Sequence, residues 1–115
     1  VERVALLGTR FTMEQDFYKQ RLQDNFGLQV LTPDNTDRQL VHDIIYQQLC
    51  HGIILDESRQ QYRRIMQQLI QQGAQAIILG CTEISLLVSA ADAQVPLFDT
   101  TQIHAQAAAL WALAN

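Results

Sequence analysis

One short stretch of this chain combines a thiol, a hydroxyl and a carboxylate. Cys81, Thr82 and Glu83 follow Gly80, and the residues before that glycine, 76–79, are all apolar. A short apolar run of this kind is typical of a buried strand, so the polar triplet lies where the strand ends and the next helix begins. Ligands of open parallel sheets bind at this end of the strands. The backbone amides that begin the helix would favour a thiolate and an anionic ligand.

Each of these three residues also has a purely structural interpretation. A buried free cysteine is usually a small apolar core residue, and spacing alone favours that interpretation of Cys81. Glu83 could orient a proton or polarise the thiol, or it could be a first-turn carboxylate that suits the helix dipole. Thr82 could donate to a bound carboxylate, or it could cap the helix. The position of the thiol at a strand end, beside polar neighbours, favours a reactive Cys81.

Two other predicted strands also end in polar residues. Gly8 and Thr9 follow the predicted strand 3–7, and the segment 99–101 (Asp-Thr-Thr) follows the predicted strand 95–98. Glycine allows close backbone approach, and threonine offers a hydrogen-bond donor, although capping is the commoner role of Asp and Thr at such positions. If the sheet is parallel, the three strand ends lie at one edge. The sequence therefore predicts a small anion-binding edge.

The other residues that could carry chemistry have ordinary interpretations. His104 lies in a predicted helix, where an isolated histidine is more often a packed or surface group than a base. His51 falls near a helix end, where a cation suits the dipole, and His42 is predicted to lie on a solvated face. Cys50 is interpreted as structural. Lys19 is the only lysine and lies in the polar part of a helix, so this chain supplies no pocket lysine for a pyridoxal Schiff base.

Composition and missing motifs exclude several classes of function. The sequence contains no Walker loop, no dinucleotide glycine fingerprint and no Gly-x-Ser-x-Gly elbow. Its 2 cysteines show neither metal-ligand spacing nor a disulfide framework, so no metal is predicted. The 8 Lys+Arg are scattered and the net charge is −4, which argues against nucleic-acid binding. No apolar run approaches the roughly 18 residues of a membrane span. Both thiols are predicted to be free in a reducing cytoplasm.

The apolar spacing also predicts helices between the strands. The first helix is expected to be capped by Thr12, with Gln15 completing a capping box, and to end at Gly27. The second is expected to be capped by Thr36 or Asp37.

A third helix is expected to begin at Asp56 or Ser58. It has the strongest helical periodicity in the chain, with apolar residues spaced i, i+3, i+4, i+7 and i+8. A short helix or turn is predicted over 82–88, and a last helix over about 101–114. Strands are predicted at 3–7, 28–31, 76–79 and 95–98.

This alternation of strands and helices predicts an α/β fold. The expected architecture is a three-layer α/β/α arrangement around a four-stranded parallel sheet, because parallel strands need helical crossovers that cover both faces. The chain of 115 residues is long enough to form one domain with a real core, so residues 1–115 are predicted to be a single unit.

Four motifs in this order resemble the aspartate/glutamate racemase family. They are ILGCTEI (78–84), LLGTRFTM (6–13), SRQQY (58–62) and VPLFDTTQIHA (95–105). The resemblance covers nearly the whole chain and has the order and spacing of that family's C-terminal half. The cysteine motif together with the DTT segment is specific.

The resemblance implies a cofactor-independent amino-acid racemase built from two similar α/β domains. An N-terminal domain missing from this chain would complete the site between the two. One thiolate would remove the substrate's α-proton, and the opposite thiol would deliver a proton to the other face. The resemblance implies that Cys81 is catalytic and that Thr82, Glu83 and Thr9 contact the substrate.

The same resemblance narrows the expectation further. Glutamate racemases usually carry histidine at the position of Glu83, so CTE favours the aspartate-type branch. His51 falls near a position where some relatives carry a lysine in the site. The last helix is expected to pack on the missing domain, and a cytoplasmic homodimer is predicted.

Two alternatives stay open from the sequence. A related thiol enzyme, of the hydantoin racemase or maleate isomerase type, could use the same geometry on other acids. A flavodoxin-like binding module without chemistry would be insensitive to thiol alkylation.

A phospho-receiver is disfavoured, because Gly8, Thr9 and Arg10 do not form an acidic cluster.

Overall fold

A four-stranded parallel sheet forms the centre of the computed structural model. The structure describes residues 2–99, apart from the side chains of Phe17 and Tyr18. The strand order is β2-β1-β3-β4, and all three pairings are parallel. This confirms the predicted α/β fold. The strands are β1 (Arg3–Leu7), β2 (Gln29–Leu31), β3 (Ile77–Leu79) and β4 (Leu97–Asp99).

The connections between the strands are helical. The α-helices are α1 (Arg10–Glu14), α2 (Asp16–Phe26), α3 (Asn35–Gln47) and α4 (Asp56–Gln71). Short 3₁₀ turns cover Leu49–His51, Thr82–Leu86 and Ala90–Asp92. None of the helices within residues 2–99 has both the length and the apolar character that crossing a bilayer requires. The predicted last helix, over 101–114, lies outside the described residues.

The two central strands are covered on both faces, so their residues alternate between two cores. Ala5 and Leu7 of β1 join the larger core, to which α3 and α4 contribute. Val4 and Leu6 join the smaller core on the opposite face, which contains Leu22 of α2. All four of these strand residues are fully buried, as expected for a parallel sheet between helical layers. The predicted three-layer arrangement is confirmed.

The first predicted helix is in fact two helices, and its predicted capping box was wrong. Thr9, not Thr12, caps α1, because Thr9 follows the strand directly and its hydroxyl accepts a hydrogen bond from the backbone N–H of Thr12. α2 then begins after Gln15, which makes no capping side-chain bond. The predicted end is confirmed, since Gly27 closes α2 in the left-handed conformation with φ 65.

The start of α3 also differs from the prediction. Asp34 is the cap, because its extended backbone lets Oδ1 accept from the Asp37 amide at 2.8 Å. Asp37 is instead buried and binds Arg64 of α4 at 2.8 Å. Thr36 is an exposed residue of the first turn. The third predicted helix is confirmed as α4, with a buried apolar side that includes Tyr62.

Candidate functional site

The ends of β1 and β3 lie side by side at one edge of the sheet, which we call the carboxyl edge. Leu7 and Leu79 are paired in register, and the Gly80 N–H donates to the Leu7 carbonyl at 2.6 Å. Because β4 is also parallel to β3, the end of β4 at Asp99 lies at the same edge. Thr100 and Thr101 of the predicted edge lie outside the described residues.

Glycine is required at the end of β3 by the close approach of α1. A Cβ atom on Gly80 would lie 3.0 Å from Thr12 Cγ2 and 3.2 Å from the Leu7 carbonyl oxygen. A Cβ atom on Gly8 would also meet Thr12, at 3.3 Å. The side chain of Thr12 therefore packs over both strand ends, and α1 and β3 fit together because neither glycine carries a side chain.

The thiol and the carboxylate predicted from the sequence are hydrogen-bonded to each other. The Cys81 thiol donates to Glu83 Oε2 at 2.7 Å, and the Thr82 hydroxyl reaches the same oxygen at 3.3 Å. Cys81 is the extended residue before the 3₁₀ turn Thr82–Leu86, and this turn brings Glu83 back toward the sulfur. Cys81 is half-buried, whereas Thr82 is exposed.

The electrostatics of this pair place the proton on sulfur. Burial, followed by the hydrogen bond to the Glu83 carboxylate, raises the pKa of the Cys81 thiol to about 11. The hydrogen bond from that thiol, in turn, lowers the pKa of Glu83. A hydrogen bond to the Glu83 backbone acts in the opposite direction and favours the thiolate. At neutral pH, Cys81 is therefore a proton donor beside an ionised carboxylate.

Thr9 lies on the neighbouring strand end rather than in the hydrogen-bonded group. Its hydroxyl lies 3.1 Å from that of Thr12 and caps α1. The structure thus brings Cys81, Thr82 and Glu83 together and places Thr9 beside them on the carboxyl edge. Of the two roles weighed for Thr9 from the sequence, the structure shows capping, and the role of donor to a bound anion stays a prediction.

Tyr62 is a residue near the site that the sequence did not single out. Its side chain is fully buried, and its hydroxyl donates to the Val41 carbonyl at 3.0 Å. Burial raises the pKa of Tyr62, and the charge of Cys81 adds to this effect, so the phenol lies within electrostatic range of the thiol. Its place in the α4 periodicity indicated only a core position, because the pattern does not show which strand end it approaches.

His42 differs from its prediction as a solvated residue. It is half-buried, and its Nδ1 accepts a hydrogen bond from the backbone N–H of Arg10 at 2.9 Å. Its ring also packs against Tyr46, with the ring centroids 4.6 Å apart. The contact joins α3 to α1 across 32 positions of sequence, which helical periodicity cannot reveal.

Cys50 and His51 lie in the 3₁₀ turn Leu49–His51, and both are exposed. This turn packs against the turn Thr82–Leu86, so it lies close to the candidate site. Burial in a core is therefore not the reason for a cysteine at position 50.

The Cys81 thiol is half-buried at the carboxyl edge. Three surface hollows of about 480, 420 and 490 Å³ lie on the described part of the chain, and Cys81 lines none of them. Within residues 2–99, no group of three or more His, Cys, Asp and Glu is placed to hold a metal ion. The site thus presents a thiol, a carboxylate and two hydroxyls on one wall.

Comparison with known proteins points to one family. A family model described as Asp/Glu/hydantoin racemase matches residues 1–108. The structure of an Asp/Glu racemase candidate from Yersinia pestis is 58% identical, with a TM-score of 0.86, and the match covers 98% of this chain and 49% of that one. An aspartate racemase homologue from Pyrococcus horikoshii OT3 is 34% identical, with a TM-score of 0.81, and 97% and 49% are covered.

Two further matches agree on the coverage. Picrophilus torridus aspartate racemase shares the fold with a TM-score of 0.66 at 20% identity, and the match covers 92% of this chain and 43% of that one. An uncharacterized protein in the pnlA 3′ region of Pectobacterium carotovorum is 34% identical over 87 residues, which are 75% of this chain and 55% of that protein. The chain therefore spans about half the length of these relatives.

Proposed function

Because the chain belongs to the Asp/Glu/hydantoin racemase family, we propose that it forms one half of an amino-acid racemase that works without pyridoxal phosphate. The observation that carries this proposal is the 2.7 Å hydrogen bond between the Cys81 thiol and Glu83 at the carboxyl edge. A proton donor at this edge, next to its own acceptor, is what proton transfer to and from carbon requires. The sole lysine, Lys19, lies on α2 rather than at this edge.

Racemisation exchanges a proton on one face of the α-carbon for a proton on the other. In one direction, a base on the opposite face removes the α-proton while Cys81 gives its thiol proton to carbon. In the other direction, Cys81 acts as a thiolate and takes the α-proton. Forming that thiolate is uphill at neutral pH, because the pKa of Cys81 is about 11 and Glu83, 2.7 Å away, is a weaker base than the thiolate. The backbone of Glu83 then stabilises the negative sulfur.

The remaining polar groups of the edge suit the substrate's carboxylate. Thr9 and Thr82 carry hydroxyls on the two neighbouring strand ends. A hydroxyl can donate to a carboxylate oxygen, and fixed donors of this kind stabilise the charge that develops when the α-proton leaves. We assign the substrate class as acidic amino acids, aspartate first, with broader specificity as the alternative.

A second wall must complete this site. The chain spans about half the length of its relatives, and the half-buried Cys81 lines none of the three surface hollows described above. A further domain of the same protein would face Cys81, supply the opposite acid/base and exclude water. We assign the active form to a cytoplasmic homodimer of such two-domain chains.

Exchange of the α-proton in heavy water tests the role of Cys81 directly. The full-length enzyme is incubated with each enantiomer of aspartate, and loss of the α-proton is followed by NMR. The Cys81→Ser variant is expected to lose on the order of 10²–10⁴-fold in rate. Cys50→Ser is the matched control, because it removes the chain's other thiol, which is exposed, and it should exchange like the wild type. Unchanged exchange of both enantiomers in Cys81→Ser would overturn the assignment.

Hydantoins are the second substrate class to test, because the description of the matched family includes hydantoin racemase. A ring-closed hydantoin lacks the free α-carboxylate that we assign to Thr9 and Thr82. Racemisation of hydantoins, with none of aspartate or glutamate, would favour this alternative.

A further inference from the structure

Three polar residues on one face of α3 converge on a single residue of α1. Asn35, Gln39 and His42 are spaced i, i+4 and i+7, so they line one side of the helix. The Arg10 guanidinium donates to Asn35 Oδ1 at 2.5 Å and to Gln39 Oε1 at 3.0 Å, and the Arg10 backbone N–H donates to His42 Nδ1 at 2.9 Å. We call these three residues the α3 clamp.

His42 is the member of the α3 clamp that holds the backbone. The first amides of a helix have no partner within the helix, so they must find an acceptor elsewhere. Nδ1 of His42 accepts from the amide of Arg10, the first residue of α1, and the ring lies against Tyr46 of its own helix. Asn35 and Gln39, by contrast, bind the flexible end of the Arg10 side chain, which also pairs with Glu14.

Holding Arg10 also holds the groups on either side of it. Thr9 is the preceding residue, so the clamped amide belongs to the peptide unit that joins Thr9 to Arg10. Thr12, one turn further on, packs over Gly8 and Gly80. Because Gly80 directly precedes Cys81, a shift of α1 would move the Thr9 hydroxyl relative to the thiol.

We propose that His42 is a positioning residue for the candidate site. Through the Arg10 amide, it fixes α1 on the carboxyl edge and so sets the distance between the Thr9 hydroxyl and the Cys81 thiol. The inference rests on the proposed function, because it gives Thr9 a role in binding substrate. The role assigned to His42 acts through α1 and includes no contact with the substrate.

Two substitutions of His42 separate its hydrogen bond from its bulk. In His42→Asn, the amide oxygen can take the place of Nδ1 as acceptor, whereas His42→Leu fills similar space without any acceptor. In the full-length enzyme, His42→Leu is expected to raise KM for aspartate and to lower kcat/KM by roughly tenfold, since small misplacements of positioned groups are costly. His42→Asn is expected to restore both to within about threefold of the wild type.

Amide hydrogen exchange, followed by mass spectrometry on the peptide that contains Arg10, tests the clamp independently of catalysis. Exchange should be faster in His42→Leu and close to wild type in His42→Asn. Thermal unfolding of both variants shows whether either fails to fold. If Leu fails to fold, His42→Ala, which also removes the acceptor, takes its place: a raised KM with faster exchange supports the proposal, and a wild-type KM overturns it.

The outcomes distinguish this inference from the proposed function. An active wild type together with wild-type KM in His42→Leu would overturn the positioning role and leave the racemase assignment intact. Equal losses in Leu and Asn would also overturn it, because the acceptor would then not matter. A wild type that racemises no amino acid would overturn the proposed function, and the positioning role with it.

Discussion

The ends of β1 and β3 meet at the same edge of the sheet but are held in opposite ways. The end of β1 is fixed from outside, since α3 binds the backbone of Arg10 across 32 positions of sequence. The end of β3 is organised by its own residues, because Cys81 and Glu83 are two positions apart. The end of β1 thus depends on a tertiary contact, and the end of β3 on a local one. The hydrogen bond that adds to the effect of burial on the proton affinity of the thiol is local, whereas the position of the neighbouring strand end is set by tertiary packing.

The contact between the two strand ends is where a substitution should have the largest effect. Gly80→Ala is expected to lower the free energy of unfolding by about 1–3 kcal/mol, because the new methyl group meets Thr12 and the Leu7 carbonyl. Urea denaturation of the full-length enzyme measures this loss.

Gly8→Ala is the matched control for that change. The two atoms nearest to its new Cβ would both belong to the Thr12 side chain, at 3.3 Å. Gly8→Ala should therefore lower the free energy of unfolding by less than Gly80→Ala. Equal losses for the two variants would show that the β3 end is no more tightly packed than the β1 end.

The local control of the thiol is tested by removing the carboxylate charge. In Glu83→Gln, the pKa of Cys81 should fall below about 11, because the amide can still bond to sulfur but no longer repels a thiolate. The fall should be on the order of one pH unit, which corresponds to about 1.4 kcal/mol. The rise of thiolate absorbance with pH measures it in a Cys50→Ser background.

Glu57→Gln removes an exposed carboxylate from the first turn of α4 and is the control for charge alone. The midpoint of the Cys81 titration should not move in this variant. An unchanged midpoint in Glu83→Gln would mean that burial alone sets the pKa of the thiol.

The two edge threonines should differ in their effect on stability. Thr9→Val removes the cap of α1 and is expected to cost about 1 kcal/mol, within the usual range for lost caps. Thr82→Val removes an exposed hydroxyl that makes only a 3.3 Å contact, so its cost should be smaller. Chemical denaturation of both variants decides the order. A larger loss for Thr82→Val would contradict the comparison.

A further expected effect is a gradual loss of stability in alkali. Because the pKa of Cys81 is raised from 9.0 to about 11, the folded state holds its proton more tightly than the unfolded state. The associated stability is fully present below pH 9 and is lost as pH rises toward 11. Cys81→Ser should abolish the loss of stability that begins near pH 9. It should keep the loss due to Tyr62, which occurs at higher pH because the pKa of Tyr62 is also raised. Identical dependence of the free energy of unfolding on alkaline pH in the wild type and Cys81→Ser would contradict the link between Cys81 ionisation and stability.

The sequence predicted the parts of the fold that depend on local pattern. Short apolar runs placed all four strands, and the spacing of apolar residues placed α4. The parallel sheet then followed from the alternation of elements and brought Thr9 and Cys81 to one edge. Gly27 ended α2 as predicted because a left-handed helix end favours glycine.

The features that sequence reasoning missed depend on contacts between distant elements or on a choice between equivalent caps. Thr9, Asp34 and Thr36 are all good capping types, and only the backbone path selects among them. The bond from Arg10 to His42 requires α1 and α3 to be packed together, so no spacing rule reveals it. An interaction between Glu83 and the Cys81 thiol was one of the two roles predicted for Glu83, but the sequence could not predict the geometry of the hydrogen bond.

The order β2-β1-β3-β4 puts both strands that carry the candidate site in the middle of the sheet. Border strands and outer helices are usually the first to open, whereas interior strands exchange their amides only when the whole domain unfolds. Fraying at either border would leave Thr9 and Cys81 attached to an intact pair of strands. The pairing of β1 with β3 should therefore be lost only at the global melting of the domain, which amide hydrogen exchange of the two strands measures.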